Sequence, residues 1–202
     1  MNFYSDAKQD EFVYKILDFK RDGYCVDIGS CHSVYSNNTF VFQQLGWTSI
    51  SVELESSYNE SYENTRKKGV HINQSALELN YKQIFDEYEF PTNIDYLSID
   101  IDTLSYESLK LIPFDEYSFK VITIEHDGYI YGDRYRKLQR DYLIDKEYFL
   151  LCSNVFVEQD GYYGKEFPFE DWWINPNDFD SELIEKIKSE SLLPSKIIEK
   201  FN

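Results

Sequence analysis

A carboxylate two residues before a glycine distinguishes the segment CVDIGSCHSVYSNN, in which an apolar run leads into Asp27 and Gly29. A turn of this kind, directly after an apolar strand, is where α/β sheets bind ligands. A dinucleotide would need further glycines there, because its pyrophosphate packs against the backbone at the start of a helix. Those glycines are missing, and Asp27 would repel the phosphates. The turn therefore favours a cofactor that carries positive charge and no phosphate.

A second acidic residue, Glu53, lies at the end of the next apolar run, TSISVEL. At the end of a second strand, its carboxylate could accept hydrogen bonds from both hydroxyls of a ribose. S-adenosylmethionine combines a ribose with an ammonium and a sulfonium group, so Asp27, Gly29 and Glu53 together predict this cofactor. The residues leave alternatives open. Asp27 could cap a helix and Glu53 could be a solvated strand end, and the protein could be an NAD-dependent oxidoreductase or a non-catalytic cofactor-binding module.

Two later strand ends carry further acidic residues and a histidine. Asp100 and Asp102 close the run IDYLSIDID, and Glu125, His126 and Asp127 close the run KVITIEHD. Neighbouring parallel strands lie about 4.8 Å apart, so these side chains are expected to meet at one edge of the sheet. His126 is the predicted general base, with Asp100 and Asp102 beside it, because an imidazole exchanges protons near neutral pH. The alternative is that these residues are solvated strand ends or helix caps.

The same strand ends could hold a divalent cation. Carboxylate oxygens and an imidazole are acceptable ligands for Mg²⁺ or Mn²⁺, and the predicted ligands are Asp100, Glu125 and His126. Such an ion would lower the pKa of an acceptor hydroxyl and orient it. The residues leave open whether the metal or the metal-free histidine performs this step.

Four basic residues stand out in the segment GDRYRKLQRDY of this acidic chain: Arg134, Arg136, Lys137 and Arg140. Guanidinium groups match phosphate oxygens well, so this segment is predicted to capture a small anionic acceptor. The alternative is a solvated helix face that pairs with nearby carboxylates. The later segment EFPFEDWWINPNDF is rich in aromatic residues, which either wall a sugar pocket or pack in the core.

Short apolar runs alternate with helical patterns along the chain, which is typical of a mostly parallel α/β sheet with helices on both faces. Strands are predicted over 24–28, 48–54, 70–76, 94–102 and 120–127, with an antiparallel pair over 148–154 and 156–159. Helices are predicted over 6–20, 39–45, 58–68, 81–88, 106–111, 134–145 and 181–189. No repeat or change of composition divides the chain, so one domain over 1–202 is expected.

The net charge of −17 over 202 residues disfavours a nucleic-acid partner, because phosphate backbones are bound through Lys and Arg. It also disfavours docking on an anionic membrane, and no run of about 18 apolar residues indicates a membrane span. Three cysteines without a CxxC pair, and the lack of a signal-peptide core, predict a cytoplasmic protein with reduced thiols. An apolar stripe near the end of the chain either closes the core or pairs two protomers in a homodimer; it comprises Leu183, Ile184, Ile187 and Leu192.

Four segments resemble the FkbM-type S-adenosylmethionine-dependent methyltransferases: YCVDIGSCHSVYSNNTFVFQQLGWTSISVE, IDYLSIDIDTLSYESLKL, KVITIEHD and EDWWINP, in this order. The resemblance implies a class I methyltransferase fold, Rossmann-like with an antiparallel last strand. It also implies O-methylation of a glycan-linked acceptor, as in capsule or surface-polysaccharide biosynthesis. The roles it implies are the turn around the methionine end for Asp27, Gly29 and Ser30, the ribose contact for Glu53, and the adenine contact for Ser75 and Ala76. The chain departs from the family at Ser33, where members often carry glycine, and at Thr103 and Leu104, where they often carry glycine with an acid.

Overall fold

The computed structural model describes residues 1–158 and 168–202. The strands of this part of the chain form one sheet in the spatial order β3-β2-β1-β4-β5-β7-β6-β8. They are β1 Tyr24–Ile28, β2 Thr48–Val52, β3 Gly69–Ile72, β4 Asn93–Ile99, β5 Ser118–Glu125, β6 Phe149–Val155, β7 Glu170–Ile174 and β8 Ser189–Glu190. The helices are α1 Gln9–Ile16, α2 Phe40–Gln44, α3 Asn59–Thr65, α4 Tyr81–Glu87, α5 Ser105–Leu109, α6 Gly128–Tyr131, α7 Asp133–Asp145, α8 Ser181–Ile187 and α9 Pro194–Glu199. Short 3-10 helices lie at Ser56–Tyr58, Ala76–Glu78, Asp102–Leu104 and Pro176–Asp178.

The sheet is parallel from β3 through β2, β1 and β4 to β5. Strand β7 runs antiparallel to its neighbours β5 and β6, and the short β8 pairs in parallel with β6. The predicted fold class, a mostly parallel α/β sheet with a reversed strand, is confirmed. The central strands are buried on both faces, which is why they read as continuous apolar runs in the sequence.

The partner of β6 is not the predicted one. Residues 156–158 are not in a strand and residue 159 lies outside the described residues, whereas β7 occupies the segment that was predicted to be an aromatic loop or part of the core. Trp172 and Trp173 are both fully buried, in the cores on opposite faces of the sheet. The core-packing interpretation of these tryptophans is therefore correct. Residues 170–174 show no polar alternation because both faces of the strand are covered.

Each face of the sheet carries its own apolar core. Phe85 of α4 and Leu143 of α7 pack on one face, and Phe12 of α1 packs on the other, where its ring stacks on Trp172 with the centroids 4.2 Å apart. Burial of each such side chain stabilises the fold by about 1.5–3 kcal/mol. The predicted stripe of α8 lies in the second core: Ile187 is fully buried, and Leu183, Ile184 and Leu192 pack against it. The stripe thus closes the core, and the homodimer stays a prediction.

The carboxyl ends of β1, β2, β4 and β5 lie side by side because these four strands are neighbours and run parallel. The residues that follow them in sequence are the predicted site residues, so the fold gathers them at one edge of the sheet. None of the helices described in the structure is both long enough and apolar enough to cross a membrane.

Candidate active site

The turn after β1 requires glycine at position 29. Gly29 has a φ of +82°, and a β-carbon there would overlap the carbonyl oxygen of Asp100. The amide groups of Gly29 and Ser30 both donate to the carbonyl oxygen of Val52, at 2.9 and 3.1 Å, which ties the turn to the end of β2. The backbone of β4 therefore approaches the turn as closely as the missing side chain permits.

Asp27 is the penultimate residue of β1 and is almost completely buried. Burial raises the pKa of its carboxyl to about 6, while a hydrogen bond from Thr39 and the positive charge of Arg66 act in the opposite direction. The Thr39 hydroxyl donates to Asp27 Oδ2 over 2.8 Å. At neutral pH Asp27 therefore carries a negative charge at the base of the cleft that it lines.

Glu53 follows β2, and its orientation is set by the backbone. Its Oε2 accepts from the amide of Cys31 at 2.8 Å, and its Oε1 accepts from the amide of Glu55 at 2.7 Å. Both carboxylate oxygens keep further lone pairs for a ligand. A side chain held in this way can present both oxygens to a diol without first losing rotational freedom.

Two adjoining clefts open along the ends of these strands. The first has a volume of about 280 Å³ and is lined by Gly29, Cys31, Val52, Glu53, Leu54, Gln74, Ser75, Ala76, Leu77, Asp100, Ile101, Asp102 and Leu104. The second has a volume of about 190 Å³ and is lined by Asp6, Gln9, Asp27, Gly29, Ser30, Cys31, Ser36, Asn38, Asp100, Asp102, Glu125 and Phe169. The two clefts share four residues, namely Gly29, Cys31, Asp100 and Asp102. The structure thus places Glu53, Ser75 and Ala76 along one arm of a bent site and Asp27 and Ser30 along the other.

A group of carboxylates lies where the second cleft meets β5. Burial first, and then the neighbouring charges of Asp100 and Asp127, raise the pKa of Glu125 well above its usual range, and Glu125 shares hydrogen bonds with both neighbours. Burial first, and then the charges of Asp127 and Asp102, also raise the pKa of Asp100, while its hydrogen bond with Glu125 lowers it. The amide of Asp102 donates to Glu125 Oε2 at 3.3 Å. The raised pKa values favour a proton that these carboxylates share, and the hydrogen bonds between them need such a proton.

His126 does not join this group, which corrects the predicted metal ligands and the predicted base. Its side chain is fully buried, with Nε2 3.7 Å from Asp171 Oδ1, and its Nδ1 accepts from the amide of Gly128 at 3.1 Å. Burial lowers its pKa to about 4. Consecutive residues at a strand end point to opposite faces, so His126 turns away when Glu125 faces the cleft. This alternation was a signal in the sequence that could have separated the two.

The carboxylates that come together are Asp102, Glu125 and Asp127, and one oxygen from each lies within 4.8 Å of the other two. Three carboxylate oxygens at this spacing fit a hard divalent cation, which would replace the shared proton. The ligand group of the structure thus differs from the predicted one in two of its three members, because Asp102 and Asp127 stand in place of Asp100 and His126.

The predicted substrate arginines are largely used inside the protein. Arg140 donates to both oxygens of Asp171 at 2.7 and 2.9 Å, and both Arg140 and Arg136 donate to Asn154 Oδ1. Arg134 lies over the ring of Tyr135, and Lys137 is exposed. Within residues 1–158 and 168–202, none of the four lines either cleft. The alternative interpretation, a helix face that pairs with carboxylates, is the one that describes Arg136 and Arg140.

Two of the cleft residues that the sequence did not predict come from the beginning of the chain. Asp6 and Gln9, from the segment before α1 and from its first turn, line the second cleft. Gln9 Nε2 donates to Glu170 Oε2 at 3.1 Å, so the buried amide is held against β7. No local pattern marks these residues, because α1 reaches the site only through its packing on the sheet.

This sheet order, with a bent cleft at the carboxyl ends of β1, β2 and β4, is a fold that the chain shares with solved structures of methyltransferases. Among solved structures the chain is similar to an rRNA methylase from Streptococcus thermophilus, with a TM-score of 0.53 and 12% identity over 86% of this chain and 98% of that chain. It is also similar to M. capricolum TrmK in complex with S-adenosylhomocysteine, with a TM-score of 0.52 and 13% identity over 86% and 73% of the two chains. A third similar structure is a TehB-like methyltransferase from Corynebacterium glutamicum, with a TM-score of 0.51 and 10% identity over 86% of this chain and 88% of that chain.

No protein-family model matches the chain, and no curated protein matches it. The solved structures share its fold at identities of 10–13%. The resemblance to the FkbM type therefore depends on the sequence motifs alone and stays a prediction.

Proposed function

We propose that this protein is an S-adenosylmethionine-dependent methyltransferase. The observation that carries the proposal is the placement of Asp27 and Glu53 in the two arms of the bent site, with Gly29 at the junction. In this proposal Asp27 and Ser30 bind the methionine end, Glu53 binds the ribose hydroxyls, and Ser75 and Ala76 contact the adenine. An NAD-dependent oxidoreductase is disfavoured because Asp27 and Asp100 would face its phosphates.

The cofactor, when bound, supplies a methyl group that is already activated by the sulfonium charge. The protein must then align an acceptor atom with that methyl group, exclude water and remove one proton. Asp100 and Asp102 line both clefts and Glu125 lines the second. A raised pKa brings a carboxylate such as Asp100 closer to the range in which a general base works at neutral pH. We therefore assign proton removal to Asp100 within this acidic group and not to His126.

The acceptor that fits best is a neutral or cationic small molecule. Five of the residues that line the second cleft are carboxylic acids, namely Asp6, Asp27, Asp100, Asp102 and Glu125. An anion would be repelled there, so the anionic acceptor inferred from the sequence is replaced by a neutral one. A sugar hydroxyl of a glycan precursor, which the FkbM resemblance implies, remains suitable because it carries no charge. The net charge of −17 continues to favour a small acceptor over RNA.

A divalent cation is a second part of the proposal. Asp102, Glu125 and Asp127 would hold it, and it would polarise the acceptor oxygen and lower the pKa of its hydroxyl. Thermal unfolding in the presence of Mg²⁺ or Mn²⁺ tests this part. We expect either ion to raise the midpoint temperature of unfolding of the unmodified protein but not that of an Asp102→Asn variant. An equal response of the two proteins would remove the metal from the mechanism. The predicted cytoplasmic location stays a prediction.

Titration calorimetry with S-adenosylhomocysteine and, separately, with NAD tests the cofactor. We expect binding of S-adenosylhomocysteine alone. Glu53→Gln should weaken this binding by about tenfold or more, because an NH2 group replaces one acceptor oxygen and leaves a donor without its partner. Binding of NAD instead would restore the oxidoreductase. Methyl transfer from labelled S-adenosylmethionine to a panel of sugar and amine acceptors separates the enzyme from a non-catalytic module. Asp100→Asn is the variant expected to bind cofactor and lose turnover.

A further inference from the structure

Arg66 follows α3 and reaches the segment that follows the turn after β1, although it lines neither cleft of the proposed site. Its Nε donates to the carbonyl oxygen of Ser33 at 3.2 Å. Its Nη2 donates to Asn37 Oδ1 at 2.5 Å and to Thr39 Oγ1 at 3.3 Å. The guanidinium group is also held between aromatic rings, 5.4 Å from the centroid of Phe40 and 5.6 Å from that of Tyr62.

Two of the three polar contacts of Arg66 lead into the methionine arm, which is the part of the proposed site lined by Asp27 and Ser30. Thr39 Oγ1, which accepts from Arg66, donates in turn to Asp27 Oδ2 at 2.8 Å. Asn37, which accepts from the same nitrogen, donates through Nδ2 to the carbonyl oxygen of Ser30 at 2.8 Å. One guanidinium group thus supports both residues that would meet the amino-acid end of the cofactor.

The ribose arm, which is the part of the proposed site lined by Glu53, does not depend on Arg66. Glu53 is held by the amides of Cys31 and Glu55. Asp27 instead is buried beside a like charge, Asp100, and the positive charge of Arg66 acts on it across Thr39. A buried carboxylate needs such compensation, because removing a charge from water is costly without a partner.

We propose that Arg66 is a positioning residue for cofactor binding, which acts through Thr39 and Asn37 to hold Asp27 and Ser30 against the methionine end of the cofactor. This inference rests on the proposed function. It assigns Arg66 no contact with the cofactor itself and no part in methyl transfer. The effect of its removal is therefore confined to ligands that carry the amino-acid end.

A comparison of two ligands isolates this effect. S-adenosylhomocysteine carries the amino-acid end, whereas 5′-methylthioadenosine has the same nucleoside and lacks that end. In calorimetry, Arg66→Met should weaken the affinity for S-adenosylhomocysteine by about tenfold or more, which is the usual effect of losing a hydrogen bond to a charged group. The affinity for 5′-methylthioadenosine should change by less than about threefold. Arg66→Lys, which keeps the charge and loses the fork, should recover part of the loss.

Two further variants control the experiment. Thr39→Val removes the hydroxyl between Arg66 and Asp27 and leaves Ser33 and Asn37 in place, so it should repeat the selective loss if Arg66→Met folds poorly. Lys67→Met removes the adjacent charge, which is exposed, and should leave the affinity for both ligands unchanged.

Three results would overturn the inference. If Arg66→Met and Thr39→Val weakened the affinity for both ligands equally, Arg66 would have a general structural role. Unchanged affinity for S-adenosylhomocysteine in both variants would show that Asp27 is positioned without Arg66. If the unmodified protein bound neither ligand, the proposed function itself would fail together with this inference, a result distinct from the other two.

Discussion

The backbone of Asp100 closes over Gly29, so that a β-carbon at position 29 would coincide with the Asp100 carbonyl oxygen. This contact joins the end of β4 to the turn after β1. It places Asp100 at the junction of the two clefts, where a reactive group of the cofactor would lie.

Gly29→Ala should therefore abolish binding of S-adenosylhomocysteine and lower stability by several kcal/mol, because the backbone of β4 must move. Gly132→Ala is a matched control, since Gly132 also has a positive φ, +64°, but a β-carbon there would meet no atom within 4 Å. With a ψ of −146°, Gly132 lies in a region that other residues rarely adopt, so the variant should cost only a backbone strain of about 1–3 kcal/mol. Urea unfolding and calorimetry measure both quantities. If the two variants behaved alike, the close approach of Asp100 would not matter.

Asp27→Asn should make the cofactor-free protein more stable and less able to bind cofactor. The folded-state pKa of Asp27, about 6, lies above its unfolded value. Its stabilising contribution is therefore fully present below about pH 3.9 and lost as the pH rises through 6, an effect of about 3 kcal/mol. Urea unfolding between pH 4 and 7 should show this loss in the unmodified protein and not in the variant. Parallel pH profiles would assign the loss to other groups.

His126 should remain neutral across the physiological range. Burial lowers its pKa to about 4, so its stabilising contribution is present above its unfolded pKa of about 6.5 and lost as the pH falls through 4. Proton NMR can follow the three histidine C2 resonances from pH 8 to 5, with a His126→Gln variant for assignment. The His126 resonance should not shift. A midpoint near 6.5 would mean that the ring is exposed, and would return it to the candidates for general base.

Arg140→Ala should destabilise the fold by about 3 kcal/mol, because it leaves the carboxylate of Asp171 buried and unpaired. Arg134→Ala, on an exposed position of the same helix, should change stability by less than about 0.5 kcal/mol. Urea unfolding of the two variants measures the difference. A stable Arg140→Ala protein with a raised KM for an anionic acceptor would instead support the substrate role predicted from the sequence.

Local sequence patterns sufficed for one side of the site. Asp27 lies at the end of β1, and Gly29 and Glu53 directly follow a strand, whereas Ser75 and Ala76 were implied only by the resemblance to the FkbM type. Because parallel neighbours bring their carboxyl ends to one edge, the positions of Asp27, Gly29 and Glu53 already implied that they lie at one site. The structure places all five there.

The opposite side of the site could not be read in this way. His126 and Arg140 are close in sequence to Glu125, yet both turn to Asp171, a residue of the reversed strand β7. The sequence showed no partner for them, because β7 had been read as a loop or as core. Only the packing of β7 beside β5 and β6 brings Asp171 next to both side chains.

The sequence by itself determined the alternation of strands and helices, the turn that needs glycine and the acidic strand ends, because each depends on residues only a few positions apart. Only the tertiary structure decided which carboxylates share a proton and which cations are already paired. It also decided that Arg66 lies behind Asp27, although the two residues are 39 positions apart in the chain. Burial and distance set these energies, and both depend on contacts between elements remote in the sequence.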